Sequence, residues 1–208
     1  MTQEMVRAAL AQAADALEAL TRDANRLDSI AQAGARIAQS LRAGGRVFSC
    51  GNGGSMCDAM HFAEEMTGRF RENRPAYAAV AISDPGHLSC VANDFGYEQV
   101  FARYVQAHGR AGDVLLAIST SGSSPNILAA ARAAREGSMA VIALTGREPS
   151  PLAQLADLTV CTPAGRWADR VQELHIKVIH ILIELVEHHL AAAGAGPADS
   201  AANPAANR

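Results

Sequence analysis

Along residues 3–43, apolar positions rich in Ala and Leu recur every three to four residues. That period predicts amphipathic helices and gives no strand signal. A polar break at 21–25 divides the stretch into two helices, and Gly44-Gly45 supplies the usual helix stop. From Arg46 onward the pattern changes. Short, uninterrupted apolar runs such as VLLAI and AVIAL alternate with segments of helical period. Runs without polar alternation belong to strands covered on both faces, so the pattern predicts a parallel sheet between two layers of helices. The expected strands are 46–50, 77–82, 113–118, 139–144 and 158–161, and the expected helices 55–70, 87–93, 97–107, 125–136 and 167–190. The fold class is therefore α/β: a three-layer α/β/α, doubly wound, parallel five-stranded sheet preceded by two helices. Those helices have apolar stripes to bury, either within the chain or against another subunit.

Composition narrows this picture. The 208 residues suit one domain, 1–190, with 1–44 as the helical pair and 45–190 as the α/β core. Residues 191–208 are low in large apolar side chains and rich in Ala, Gly and Pro, which predicts a disordered tail. A net charge of −3, with no basic patch interleaved with aromatics, argues against nucleic acid as a partner. No apolar run approaches the ~20 residues of a membrane span. The N-terminal MTQEMVRAAL lacks the order of a signal peptide, so a cytoplasmic location is expected. Cys50, Cys57, Cys90 and Cys161 show neither CxxC nor zinc-finger spacing and are expected as free, buried thiols. Lys177 is the only lysine among the 18 basic residues, which leaves imine chemistry a single candidate.

The most informative stretch is RVFSCGNGGSMCDAMHFAEE, 46–65. An apolar strand breaks into a glycine-rich turn (Gly51, Gly53, Gly54), and a helix follows with a hydroxyl at Ser55. Glycine lets a ligand approach the backbone, and a helix N-terminus favours an anion. His61 and Glu65, at i and i+4, share one helix face and form a proton-transfer or metal-binding pair. A second loop, STSGSSPN at 119–126, follows another strand and opens another helix, with Ser124 as N-cap and Pro125 at the first helical position. Ser119, Thr120, Ser121 and Ser124 place four hydroxyls around a glycine, a set able to hold phosphate without lysine. Either loop alone reads more simply as an ordinary turn. Two of them at equivalent strand ends point to a phosphorylated ligand. There is no GxxxxGK[ST], and Met56 replaces the third glycine of GxGxxG, so a nucleotide is not expected.

The last helix carries a third constellation. Asp169, Gln172 and His180 fall within an arc of about 80° at ~100° per residue. Their polar row interrupts an apolar helix. A histidine on such a face is commonly a satisfied core residue; two histidines plus a carboxylate, with an amide oxygen, could instead hold zinc. His188-His189 reads as a solvated helix end. Asn93 and Asp94, in VANDFGY, could grip sugar hydroxyls or merely cap a helix.

Taken together, SCGNGGSMCDAMHFAEEMTGRFRENRP, SDPGHLSCVANDFGYE, GDVLLAISTSGSSPNI and ADRVQELHIKVIHILIELVE closely resemble the phosphoheptose isomerases, a family of the sugar isomerase (SIS) domain superfamily. The likeness runs over residues 1–190. It implies the isomerisation of sedoheptulose 7-phosphate to D-glycero-D-manno-heptose 7-phosphate, the first step toward the heptose of bacterial lipopolysaccharide cores. It also implies a homotetramer with active sites at subunit interfaces and one zinc per subunit. By position, Ser55, Ser119, Thr120, Ser121 and Ser124 would hold the phosphate. Asn52, Gly53, Gly54, Asn93, Asp94, Asp169 and Gln172, together with Glu65, would contact the sugar chain. Glu65 would be the general base and His180 its partner acid; His61, Glu65, Gln172 and His180 would be the zinc ligands. Ser123, Pro125 and Pro149-Ser150-Pro151 depart from the residues of relatives without touching these groups. The alternatives are a non-catalytic protein-binding relative like the DnaA initiator-associating protein, which needs neither Glu65 nor His180, and an SIS protein for another sugar phosphate.

Overall fold

The computed structural model describes residues 1–192. Two helices, α1 (Thr2–Arg22) and α2 (Ala24–Arg42), come first. They part at Asp23, whose carboxylate accepts from the N–H groups of Asn25 and Arg26 at 3.1 and 3.3 Å and so caps α2. Five strands follow: β1 (Val47–Cys50), β2 (Ala79–Ala81), β3 (Val114–Ser119), β4 (Ala140–Thr145) and β5 (Leu158–Cys161). All pair in parallel, in the order β2-β1-β3-β4-β5. The intervening helices are α3 (Gly54–Thr67), α4 (Pro85–Phe95), α5 (Ala102–His108), α6 (Pro125–Glu136) and α7 (Pro151–Leu155), and α8 (Ala168–Ala192) closes the fold.

Strand side chains divide between two cores because successive residues point to opposite faces. Val114, Leu116 and Ile118 of β3, with Ile142 and Leu144 of β4, pack beneath α2, α3 and α8 against Ile37, Phe62, Leu174 and Val178. Leu115 and Ala117, with Val141 and Ala143, face α4–α7 and meet Phe101, Val105, Ile127 and Leu152. The expected three-layer α/β/α arrangement is what forms.

Several expectations shift. The helix expected over 97–107 is a short 3-10 turn, Tyr97–Gln99, followed by α5. Val100 and Phe101, both fully buried, lie between the two segments. Helix α7 was not expected; Pro151 starts it, and Ser150 caps it by accepting from Ala153 N–H at 3.2 Å. Helix α4 begins at Pro85, where Asp84 accepts from His87 N–H at 2.7 Å. Cys50 and Cys161 are buried thiols, but Cys57 and Cys90 are exposed, since they sit on the outer faces of α3 and α4. His188 is exposed and His189 half-buried at the end of α8. Ala191 and Ala192 belong to α8, and the rest of the expected tail lies outside the described residues. No helix among the described residues is long and apolar enough to cross a membrane. Helix α1 buries only Leu20 and leaves Met5, Val6, Leu10 and Leu17 exposed.

Candidate active site

From β1 the chain turns outward to β2; from β3 it proceeds the other way to β4 and β5. Strand order reverses between β1 and β3, and ligands of such sheets bind beyond the carboxyl ends of the strands at that point. The two loops singled out by sequence, 51–55 and 119–124, leave these two strand ends. Sheet topology thus brings together residues about seventy positions apart.

In the first loop Gly53 takes φ +55 and is the N-cap of α3, a conformation that suits a residue without Cβ. The helix starts at Gly54, not at the Ser55 hydroxyl, and no side chain caps it. The N–H groups of Ser55, Met56 and Cys57 are turned to the carbonyls of Asn52 and Gly53 at 2.9–3.2 Å. Ser55 itself is buried. In the second loop Ser124 holds the N-cap position of α6, but its hydroxyl makes no capping bond. It lies 3.2 Å from Ser119 Oγ, which is 3.5 Å from Ser121 Oγ. Three of the five hydroxyls expected to hold phosphate, those of Ser119, Ser121 and Ser124, therefore lie together at one helix start.

The loops are locked to each other by two amides. Asn52 Nδ2 donates to Asn126 Oδ1 at 2.9 Å, and Asn126 Nδ2 donates back to Asn52 Oδ1 at 2.8 Å. Tyr97 adds its hydroxyl to Asn52 Oδ1 at 3.2 Å, which ties the segment after α4 to the glycine loop. Asn126 and Tyr97 were not among the sequence candidates. Only the pairing of β1 with β3 reveals why a buried asparagine stands at 126.

Along α3, Gly54, Asp58, His61 and Glu65 form a stripe at i, i+4, i+7 and i+11, facing α8. Gln172 of α8 lies against the first turn: a Cβ on Gly54 would come 2.8 Å from Gln172 Nε2. Two turns later the helices meet through imidazoles, with His61 Nε2 2.9 Å from His180 Nε2. Glu65 Oε1 lies 3.8 Å from the same His61 nitrogen. On the other side of the ring, His61 Nδ1 is 2.9 Å from Glu64 Oε1, a residue the sequence reading passed over. That contact makes Nδ1 the protonated nitrogen and leaves the Nε2 lone pair facing His180 and Glu65. His61, Glu64 and Glu65 each offer an atom within 4.8 Å of the others, a cluster able to take a cation.

Two imidazole nitrogens and a carboxylate oxygen converging on one point suit zinc, and Glu64 behind His61 is the partner that orients such a ligand. Gln172 sits eight residues before His180, about 12 Å along the helix axis. No hydrogen bond joins it to the imidazole cluster among the described residues. Burial pushes the His180 pKa down, and the His61, Lys177 and Arg71 charges add to that while Glu65 opposes it. The neutral imidazole is thereby favoured as ligand and proton carrier. Asp58, between the Gln172 and His180 contacts, is buried, and its Oδ2 has no partner; burial raises its pKa to about 6 against the pull of His61.

The remaining candidates stand on the rim. Asn93 and Asp94 are exposed on α4, joined by an Asn93 Nδ2 to Asp94 Oδ1 bond of 2.7 Å. Asp169, exposed on the first turn of α8, pairs with Arg170 at 3.8 Å.

A family model of the SIS domain matches residues 10–146. The chain is 59% identical to the phosphoheptose isomerase of Aeromonas hydrophila over 191 residues, which are 92% of this chain and all of that protein. The chain belongs to the phosphoheptose isomerase family. The relative from Proteus mirabilis is 57% identical, over 91% of this chain and 99% of its own. Among solved structures, the phosphoheptose isomerase of Neisseria gonorrhoeae aligns with TM-score 0.84 and 40% identity, covering 90% of this chain and all of that one. That of Francisella tularensis aligns with TM-score 0.85 and 32% identity, over 90% and 99%. Both loops fall within the residues 10–146 that the SIS domain model matches.

Proposed function

We propose that this protein isomerises sedoheptulose 7-phosphate to D-glycero-D-manno-heptose 7-phosphate, the entry to bacterial heptose and lipopolysaccharide-core precursors. The observation that carries the reading is the meeting of Glu65 and His180 at one nitrogen of His61, two turns along the helix that leaves the first loop. Relatives at 57–59% identity named phosphoheptose isomerase support it. A purely protein-binding relative would have no need for this convergence.

The reaction moves a proton between C1 and C2 of an open chain. Ser55, Ser119, Thr120, Ser121 and Ser124 hold the phosphate, whose binding energy places the reacting carbons. Asn52, Gly53, Gly54, Asn93, Asp94, Asp169 and Gln172 bind the hydroxyls along the chain. Glu65 takes the proton from C1 while His180 delivers one to the C2 oxygen, giving an enediol. Glu65, its carboxyl proton having exchanged with solvent, then protonates C2 as the O1 proton leaves through His180, and the aldehyde forms at C1. General acid–base help of this kind contributes about 10²–10⁴-fold per group. His61, Glu65 and His180 would hold one zinc per subunit, which would polarise the substrate oxygens, Glu65 and His180 carrying protons when not bound to it; Gln172, the fourth donor that the resemblance implies, stands two turns of α8 away from this cluster. The assembly proposed is a cytoplasmic homotetramer with sites at subunit interfaces; the exposed apolar positions of α1 and the rim positions of Asn93, Asp94 and Asp169 accord with that.

Incubation with sedoheptulose 7-phosphate, with and without added zinc, tests the assignment. The wild-type chain is expected to yield heptose 7-phosphate, and Glu65→Gln to bind substrate while turning over at least ~10²-fold more slowly. Near-native turnover in that variant removes Glu65 from the mechanism, and no turnover under either condition removes the isomerase reading.

A further inference from the structure

Next to the 119–124 loop, on the side away from β1, a cavity of about 230 Å³ opens at the carboxyl ends of β3, β4 and β5. Thr120 and Ser121 form one wall; Arg147, Arg166 and Trp167 form the other. No acid lines it. Arg147 and Arg166 are exposed and take part in no ion pair among the described residues, and Arg166 lies over the Trp167 ring at 4.8 Å. A second cavity of about 500 Å³ shares Gly165, Arg166 and Trp167 with the first and adds Gln12, Asp15 and Arg170. The guanidinium of Arg170 pairs with Asp169 and Glu173, yet its Nε is buried with no partner. Three arginines thus border the joined space against one acid on its walls, Asp15. Unpaired guanidinium groups beside hydroxyls are the donors that phosphate oxygens accept from, often bidentately.

We propose that the Arg147–Arg166 cavity is a second anion subsite, which takes the second phosphate of a compound carrying two phosphate groups. Its first phosphate occupies the 119–124 loop, so the inference rests on the reading of that loop as the phosphate cradle. Thr120 and Ser121 face both spaces, and such a ligand therefore excludes the monophosphate substrate. The subsite makes bisphosphorylated sugars competitive inhibitors.

Calorimetric titration tests this on the full chain with two matched probe pairs: fructose 1,6-bisphosphate against fructose 6-phosphate, and pyrophosphate against inorganic phosphate. At least one two-phosphate probe is expected to bind about 10-fold or more tightly than its single-phosphate partner, the gain typical of an added charge-assisted contact. In the double variant R147Q/R166Q that gain disappears, while affinity for the single-phosphate probe stays within about 2-fold. Equal affinities in both pairs, or a gain that survives in the double variant, overturn the proposal. The wild-type comparison decides even where the variant misfolds. Binding of single-phosphate probes without the gain sinks the second subsite alone, whereas failure of all four probes to bind takes the cradle with it.

Discussion

At the scale of single residues, Glu64 and Asp58 matter through what lies beside them. Glu64 holds the protonated nitrogen of His61, so Glu64→Gln weakens the orientation of the ring without removing any ligand. Zinc affinity, measured by competition with a chelator, should fall 10–100-fold in that variant with the fold unchanged; an unaltered affinity would separate Glu64 from the site. Asp58 titrates near 6 in the folded chain, because burial disfavours its charged form, and near 3.9 when unfolded. Between those values the native state holds the extra proton, so stability declines as pH rises through that window. Asp58→Asn should therefore raise stability at pH 8 by about 1–3 kcal/mol, with the gain closing below pH ~4. Denaturant unfolding at the two pH values checks it, and a gain that grew toward low pH would contradict the assigned sign. Neither residue stood out in the sequence. Glu64 sits on an exposed position, and Asp58 owes its importance to α8, more than a hundred residues away.

At the scale of elements, strands were legible and short connecting helices were not. The runs at 114–118 and 140–144 are apolar throughout because helices cover both faces, and five such residues bounded by turn signals suit a buried parallel strand. Helix α7, five residues bounded by Pro151, is too short to show a period. The 97–107 segment reads as one helix only until the burial of Val100 and Phe101 is known. Helix α8 carries a cost that its apolar pattern hides. His175 is fully buried, and among the described residues neither ring nitrogen has a partner within normal hydrogen-bond geometry; burial lowers its pKa to about 4, opposed in part by a polar contact with the Thr145 backbone. The unfolded imidazole titrates near 6.5, so the neutral ring's contribution is complete above that pH and is lost as pH falls toward 4. Melting temperature should drop across this range in the wild type and less steeply in His175→Leu. Parallel curves for the two would remove His175 from the acid transition.

For the whole molecule, the two loops, the α3 stripe and the polar row of α8 were each visible in sequence, but their convergence was not. The β1–β3 pairing sets the two loops side by side, locked by the Asn52–Asn126 amide pair, and the α3–α8 contact brings His61 to His180. Under the proposed homotetramer, in which the outward apolar stripe of α1 is covered, sedimentation at micromolar concentration should report a mass four times 21.7 kDa. Met5→Glu combined with Leu10→Glu should shift that mass downward, and a monomeric wild type would contradict the assembly. The central claim is proton transfer through Glu65 between C1 and C2, and the most direct test is turnover of sedoheptulose 7-phosphate in D₂O followed by NMR. The account predicts deuterium at C2 of the heptose 7-phosphate formed by the wild type, and loss of that label by at least ~10²-fold in rate for Glu65→Gln. Product whose C2 hydrogen never exchanges with solvent, formed equally fast by the variant, would contradict it.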